Sequence, residues 1–348
     1  MRGVVFLGER KLELREFPDP TPGPGEVVIA IKASGMCGSD LHMYRAAGNG
    51  AAALGLGGSG GPVIAGHEPC GVVAAVGPGV LESQARVGQR VMDHHYRGCG
   101  SCKHCRVGWS QLCPHGIVVY GATGHGGHAP FMGVPASTLV PLPDELSFEE
   151  GAAVSCGTGT AYWALKRIDV SGRDTLAVFG QGPVGLSATM LGKAMGARVL
   201  AVDIAAERRQ LAKEFGADAV IDPRAVDPVL AMRELTRGEG VEAAMDCTGN
   251  PEARVAAVRS ACTWGRVCFV GEGSTVTFDV SPDLLRRQIT LHASWTFSTV
   301  GQWECARFVA DRKIPLTRLL THRFTLDQAA DAYRLFDTQT TGKGVFVF

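Results

Sequence analysis

Four cysteines in one short stretch, Cys99, Cys102, Cys105 and Cys113 within GCGSCKHCRVGWSQLC, have the residue type and spacing that most directly imply chemistry. Four thiolates held this close on an irregular loop suit one closed, tetrahedral zinc site, which stabilises a fold and turns over nothing. A C-x2-C-x2-C run also occurs in ferredoxins, but the bacterial pattern places its fourth cysteine after three residues, and here the gap is seven. A disulfide lattice is the other alternative. A second set of metal-ligand types is scattered along the chain: Cys37 in SGMCGSDLH, His67 and Glu68 in AGHEPCG, and Cys156 in AAVSCGTGT. Each alone has a plain reading as a buried cysteine, a core histidine or a strand-end glutamate. Together, two cysteines and a histidine supply three ligands and leave a fourth position open, as a catalytic zinc needs.

A third constellation is the run Gly180-Gln181-Gly182-Pro183-Val184-Gly185, a G-x-G-x-x-G match between the apolar run TLAVFG and the helix-spaced PVGLSATMLGKAMGA. The first glycine permits a tight turn, the second lets backbone approach a pyrophosphate, and the third lets helix pack on strand. The pyrophosphate would rest on the helix N-terminus, where free N–H groups and the dipole favour anions. Asp203 ends the next strand-like run, RVLAVD, 18 residues after Gly185. An acidic group there binds the adenine ribose hydroxyls and repels a 2′-phosphate, which favours NAD over NADP. Arg208 either softens that preference or is a solvated helix residue.

The elements that must position these residues change character midway. The first ~150 residues are rich in glycine, proline and valine, with short alternating runs such as EVVIAIKASG and CGVVAAVGPGV, so they read as β-rich. AGNGAAALGLGGSGG, residues 47–61, is a low-complexity loop expected to cover or border a site, or to be an idle insertion. From about residue 150, TLAVFG, RVLAVD, AVID, VEAAMDCTG, GRVCFVG and ITLHASW alternate with helical stretches such as ERRQLAKEFGA and VLAMRELT, which implies parallel βαβ units. After residue 296 come two helix-like stretches, GQWECARFVADRK and LDQAADAYRLFD, and a terminal strand, GVFVF.

Composition bounds the rest. A chain of 348 residues suggests two domains. Lys plus Arg and Asp plus Glu number 34 each, so no basic field marks a nucleic-acid partner. No apolar run reaches the ~18 residues of a membrane span, and MRGVVFLGERKLEL is a strand pattern rather than a signal peptide. Eleven cysteines without an export signal fit a reducing cytoplasm in which metal holds the thiolates. Cys70, Cys247, Cys262, Cys268 and Cys305 read as core residues.

In order and approximate spacing, CGSDLH, GHEPCGVV, the four-cysteine loop, SCGTGT, GQGPVG and Asp203 resemble the zinc-containing medium-chain dehydrogenase/reductases, the alcohol dehydrogenase family, across essentially the whole chain. The resemblance implies an α/β protein. A GroES-like, β-rich catalytic domain (residues 1–150 and 297–348) would be interrupted by a Rossmann NAD-binding domain with a doubly wound parallel sheet (residues 151–296), and the active site would lie between them. It implies two zinc ions per subunit: one structural, on Cys99, Cys102, Cys105 and Cys113, and one catalytic, on Cys37, His67 and Cys156 with Glu68 adjacent. Ser39 would take the alcohol proton, His42 would relay it, Asp40 would hold the far nitrogen of His67, and Thr160 and Val184 would pack against nicotinamide. It also implies reversible hydride transfer between a small alcohol or carbonyl substrate and NAD, in a homo-oligomer, tetramer over dimer, with ITLHASW pairing across subunits. Trp109, Tyr120 and Trp295 are packing or interface residues before they are pocket residues. Two features depart from the family's alcohol branch or divide its branches. Gly38 stands where many members carry a cationic or histidine side chain. Ser155-Cys156 follows the alcohol branch, whereas CGSD, GHE and the short chain follow the polyol branch, so polyol or threonine oxidation is the alternative. A non-catalytic, zinc-stapled dinucleotide-binding protein is the reading from another class.

Overall fold

A computed structural model of the chain describes residues 1–47, 55–56 and 61–348, so the expectation attached to the loop 47–61 falls mostly outside the described residues. The chain divides into two compact units, Met1–Gly159 with Phe297–Gln339 and Lys343–Phe348, and Thr160–Thr296 with Thr340–Gly342.

The first unit opens with a hairpin of β1 (Arg2–Gly8) and β2 (Lys11–Glu16). β3 (Glu26–Gly35), β4 (Glu68–Val76), β5 (Arg90–Asp93), the short pair β6 (Tyr96–Arg97) and β7 (Val118–Val119), β8 (Phe131–Pro135) and β9 (Leu139–Pro141) follow. The alternation of EVVIAIKASG turns Val27, Ile29 and Ile31 to one face, where they pack on Val73, Val91 and Met132. β3 runs straight into the helix Gly38–Arg45, with Cys37 as its cap. The helix Phe148–Ala153 starts on a Ser147/Glu150 capping box and continues into a wide π-helical turn, Val154–Thr158, buried throughout. That turn carries Cys156 to Cys37, which is why the unit runs to Gly159 rather than stopping near residue 150.

The second unit holds six parallel strands: β10 (Thr175–Phe179), β11 (Arg198–Val202), β12 (Ala219–Ile221), β13 (Val241–Asp246), β14 (Ala261–Phe269) and β15 (Thr290–Ala293). Their spatial order, β12-β11-β10-β13-β14-β15, is that of a doubly wound sheet. The order reverses between β10 and β13, and in such sheets ligands bind outside the carboxyl ends of the strands at that point. Phe179, Leu200, Val202, Val241 and Val267 fill the core against the connecting helices. The sequence reading named no helix between VEAAMDCTG and GRVCFVG, yet Pro251–Ser260 is one; Asn250 caps it and Pro251 opens it, a start signal present in the sequence.

The chain re-enters the first unit with the helix Thr299–Asp311, the unforeseen strand β16 (Leu320–Phe324), the helix Ala329–Asp337 and β17 (Lys343–Val347). The resulting sheet has the order β16-β17-β3-β4-β5-β9, with β8 also on β3. Cys70, Cys268 and Cys305 are core residues, but Cys247 and Cys262 are only half-buried. Cys247 lies past the end of β13, and Cys262 lies at the start of β14, where the pairing shifts register.

Candidate active site

Cys37, His67, Glu68 and Cys156 meet in the first unit, all buried, with one ligand atom from each inside a 4.8 Å set. Adjacent antiparallel strands achieve this: Gly35 on β3 pairs with Glu68 on β4, so Cys37 emerges beside His67. Cys37 Sγ and Cys156 Sγ are 3.9 Å apart. That is far beyond a disulfide's ~2.05 Å and near the ~3.8 Å edge expected of two thiolates at ~2.3 Å from one tetrahedral zinc. The contact with Cys156 holds the Cys37 thiol well below its usual pKa in spite of burial, and the same contact, with burial, pushes Cys156 well up. A metal held by both sulfurs would displace their protons. Burial opposes charge on His67, but Asp40 and Cys37 outweigh it and raise the imidazole pKa well above its usual value. Asp40 Oδ1 lies 3.0 Å from His67 Nδ1, off the line of a well-formed N–H bond, and has no hydrogen-bond partner among the described residues. On the other side of the ring, Ser39 Oγ is 3.2 Å from Nε2. Two soft sulfurs, an imidazole with a carboxylate behind it and an adjacent hydroxyl form a donor set that fits zinc and could hold it.

Glu68 forms a fully buried ion pair with Lys343, whose Nζ also donates to the Met36 carbonyl at 3.0 Å. Burial pushes the Glu68 carboxyl up to about 8, with Lys343 restraining the rise. Gly35 is required here, because a Cβ at that position would overlap the Glu68 carboxylate. His95 is also close: its ring lies 5.0 Å from that of His67, and Nδ1 is 3.1 Å from the Ser155 carbonyl.

The four-cysteine loop is built differently. Cys99 is exposed, Cys102 and Cys105 are half-buried and Cys113 is buried, and their sulfurs form a second set within 4.8 Å. Backbone N–H groups of Cys99 and Cys102 donate to Cys113 Sγ and Cys99 Sγ at 3.3 Å, and that of Cys105 donates to Cys102 Sγ at 3.5 Å. Gly98 is needed because a Cβ would lie 2.6 Å from Cys105 Sγ. None of the eleven cysteines, all among the described residues, is in a disulfide.

In the second unit Gly180 follows β10 with φ +86°, and Gly182 caps the helix Pro183–Ala194. A Cβ at Gly185 would overlap the Gly180 carbonyl oxygen, so the third glycine closes the helix onto the turn. Asp203 is nearly buried and accepts the Gln181 N–H at 2.6 Å and the Ala205 N–H at 2.8 Å. It thus braces the glycine turn as well as presenting a carboxylate. Arg208 is half-buried beside Gly182 and donates to the Thr341 carbonyl at 3.4 Å, so it is not a solvated helix residue. Thr160 is buried and Val184 half-buried.

Ser39 and His42 lie one turn apart on the helix Gly38–Arg45, Ser39 half-buried and His42 exposed. Tyr120 is buried in the β3 core, whereas Trp295 stays partly exposed. Sequence reasoning missed Lys343, His95, His128 and Tyr333. His95 had a signal, the pair His94-His95 just before the four-cysteine loop; the other three reach the site only through tertiary packing.

A family model described as a zinc-binding dehydrogenase matches residues 183–310, and one described as an alcohol dehydrogenase GroES-like domain matches residues 23–144. An uncharacterized zinc-type alcohol dehydrogenase-like protein of Escherichia coli K12, YphC, is 40% identical over 100% of this chain and 99% of its own. An L-threonine 3-dehydrogenase of Thermococcus kodakarensis is 32% identical over 96% and 94%. The solved alcohol dehydrogenase TADH from Thermus sp. ATN1 superposes with a TM-score of 0.89 at 28% identity, covering 100% of this chain and 99% of that one. Matched at both ends and throughout, the chain belongs to the zinc-dependent medium-chain dehydrogenase family, with a GroES-like unit and a Rossmann unit.

Proposed function

We propose that the protein is a zinc- and NAD-dependent alcohol dehydrogenase, cytoplasmic and homo-oligomeric, tetramer over dimer, that interconverts a small or medium alcohol and its carbonyl. The observation that carries the reading is the buried set Cys37, His67, Glu68 and Cys156 with Ser39 beside it. Zinc on Cys37, His67 and Cys156 would supply a Lewis acid that eases loss of the alcohol's hydroxyl proton, and NAD would accept the hydride from the carbinol carbon.

The chain's own residues do the rest. Asp40 orients His67, so that Nε2 faces the thiolates rather than swinging away. Ser39 Oγ, on the Nε2 side of the ring, takes the alcohol proton, and His42, one turn on and exposed, relays it toward water. Lys343, fully buried with Glu68, offsets part of the burial that favours the neutral carboxyl and holds a further ligand oxygen beside the sulfurs. Gly180, Gly182, Pro183 and Gly185 shape the anion-binding turn, and the Asp203 carboxylate selects NAD. Thr160 and Val184 would pack against the nicotinamide ring. A second zinc on Cys99, Cys102, Cys105 and Cys113 is structural. β15 ends its sheet with one unpaired edge and exposed Leu291, a surface suited to a second copy.

A second reading, oxidation of an amino alcohol or polyol, is favoured by the likeness to an L-threonine 3-dehydrogenase. One assay separates them: NADH formation by zinc-replete protein with primary alcohols, secondary alcohols, polyols and threonine. Turnover confined to simple alcohols supports the first reading, and preference for threonine or polyols supports the second. No turnover with any of them would leave the non-catalytic binding protein.

A further inference from the structure

Resting on the proposed role of His67 as a metal ligand, we infer that Tyr333, supported by His128, is a positioning residue for that ligand and acts through Asp40. The observation is an unbroken buried chain of polar side chains drawn from three distant segments, the β3–helix junction with Ser34 and Asp40, the loop with His128 and the late helix with Tyr333. Ser34 Oγ lies 2.7 Å from His128 Nδ1, His128 Nε2 lies 2.7 Å from the Tyr333 hydroxyl, and that hydroxyl donates to Asp40 Oδ2 at 3.3 Å. Asp40 Oδ2 also accepts the Cys37 N–H at 2.8 Å, and Oδ1 faces His67 Nδ1. Ser34, Asp40, His128 and Tyr333 are completely buried.

The direction of every hydrogen follows from the carboxylate, which only accepts. The single Tyr333 hydrogen goes to Asp40, so the phenolic oxygen must accept from His128 Nε2–H. Burial keeps His128 neutral, with its pKa near 4. Its Nδ1 therefore carries the lone pair and accepts the Ser34 hydroxyl. All donors along the chain thus point toward Asp40. With Oδ2 taken by the Tyr333 hydroxyl and the Cys37 N–H, the Asp40 carboxylate is held in place, and Oδ1 is left for His67. That contact sets the orientation of the His67 ring and leaves Nε2, on the Ser39 side, as the nitrogen available to a metal.

The packing is specific to this arrangement. His128 presses on the backbone of Gly66 (φ +92°), the residue before His67, so closely that a Cβ there would overlap the imidazole. The Tyr333 ring is edge-on to Phe6, 4.8 Å between centroids, and His128 is edge-on to Phe346 at 4.6 Å. Tyr333 and Asp337 are one turn apart on the helix Ala329–Asp337, and Asp337 binds Arg45 and Arg10. Arg45 ends the same helix that carries Asp40 near its start. The late helix is therefore clamped to the early one at both points, which fixes the phenol against the carboxylate.

The test is Tyr333→Phe in the full chain, with zinc affinity measured by competition against a chelating dye and the four-cysteine site as internal control. We expect zinc at the buried cluster to bind about tenfold more weakly, within the ~10–100-fold found for outer-shell partners. Affinity at the four-cysteine loop, melting of the metal-free protein and KM for NAD should be unchanged, with kcat reduced. His128→Gln, which keeps a polar group but breaks the geometry, should act in the same direction. Unchanged affinity in both variants overturns the inference, and so does equal zinc loss from both sites with a lower melting temperature, which would make the role merely structural. Wild-type protein that binds zinc only on the loop would overturn the functional reading, and this inference with it.

Discussion

The two thiolate clusters of this protein reach similar ligand spacing by opposite routes. Cys99, Cys102, Cys105 and Cys113 lie within fifteen residues, are partly exposed, and satisfy one another through N–H···S bonds from their own backbone. Cys37 caps a helix just past a strand end, His67 precedes a strand and Cys156 lies in a π-helical turn; all are buried, nearby Asp40 faces His67, and Tyr333 and Lys343 reach Asp40 and Glu68 from the far end of the sequence. A local cluster can close a coordination shell with its own loop. An assembled one can hold side chains around a shell that stays open. The first arrangement suits stability and the second suits chemistry.

The comparison can be broken from either side. Among changes that leave both ligand sets intact, the largest catalytic effect should come from Ser39→Ala, which removes the hydroxyl beside His67; kcat should fall by roughly 10²-fold, the usual contribution of a positioned proton-transfer group. Steady-state NADH formation checks this, and a loss below threefold would contradict the relay. Cys105→Ala should do the reverse. Breaking the local shell should lower the melting temperature by about 10 °C, equivalent to some 3–5 kcal/mol at ~2–4 °C per kcal/mol, while kcat at low temperature stays within about twofold. Calorimetry paired with a cold assay reads both, and lost turnover at unchanged melting temperature would erase the division of labour. Asp203→Ala should raise the NADP-to-NAD ratio of kcat/KM by about tenfold, as loss of a single repulsive carboxylate allows. Because Asp203 also braces Gln181 and Ala205, KM for NAD should rise as well. His42→Ala should be the mildest, under about tenfold in kcat, since its exposed position lets water or buffer carry the proton; added imidazole should restore part of the rate.

What was legible in the sequence follows the same division. The four-cysteine loop and the glycine turn could be read because their partners are neighbours in the chain, and parallel βαβ alternation could be read from apolar runs between helical periods. The buried cluster was legible only as a resemblance, since nothing in the spacing of Cys37, His67 and Cys156 dictates that β3, β4 and a later turn converge. Tyr333 lies in the helix-like stretch LDQAADAYRLFD, where nothing local marks its hydroxyl as a partner for Asp40. Lys343 stood at the edge of the strand run GVFVF with no sign of burial. Arg208 could have been a solvated residue, but tertiary packing sets it against Gly182. The helix Pro251–Ser260 was missed despite its Asn-Pro start, because flanking strand runs dominated the periodicity.

The most direct test of the account is zinc content measured together with turnover in wild-type and Cys156→Ala protein. The account predicts two zinc ions per chain and NAD-linked alcohol oxidation in the wild type. The variant should retain one zinc, on the four-cysteine loop, with turnover lowered by about 10³-fold or more, since a Lewis acid contributes several kcal/mol, and with NAD affinity unchanged. A variant that keeps both zinc ions and its activity would contradict the assignment of the buried cluster as the reacting centre.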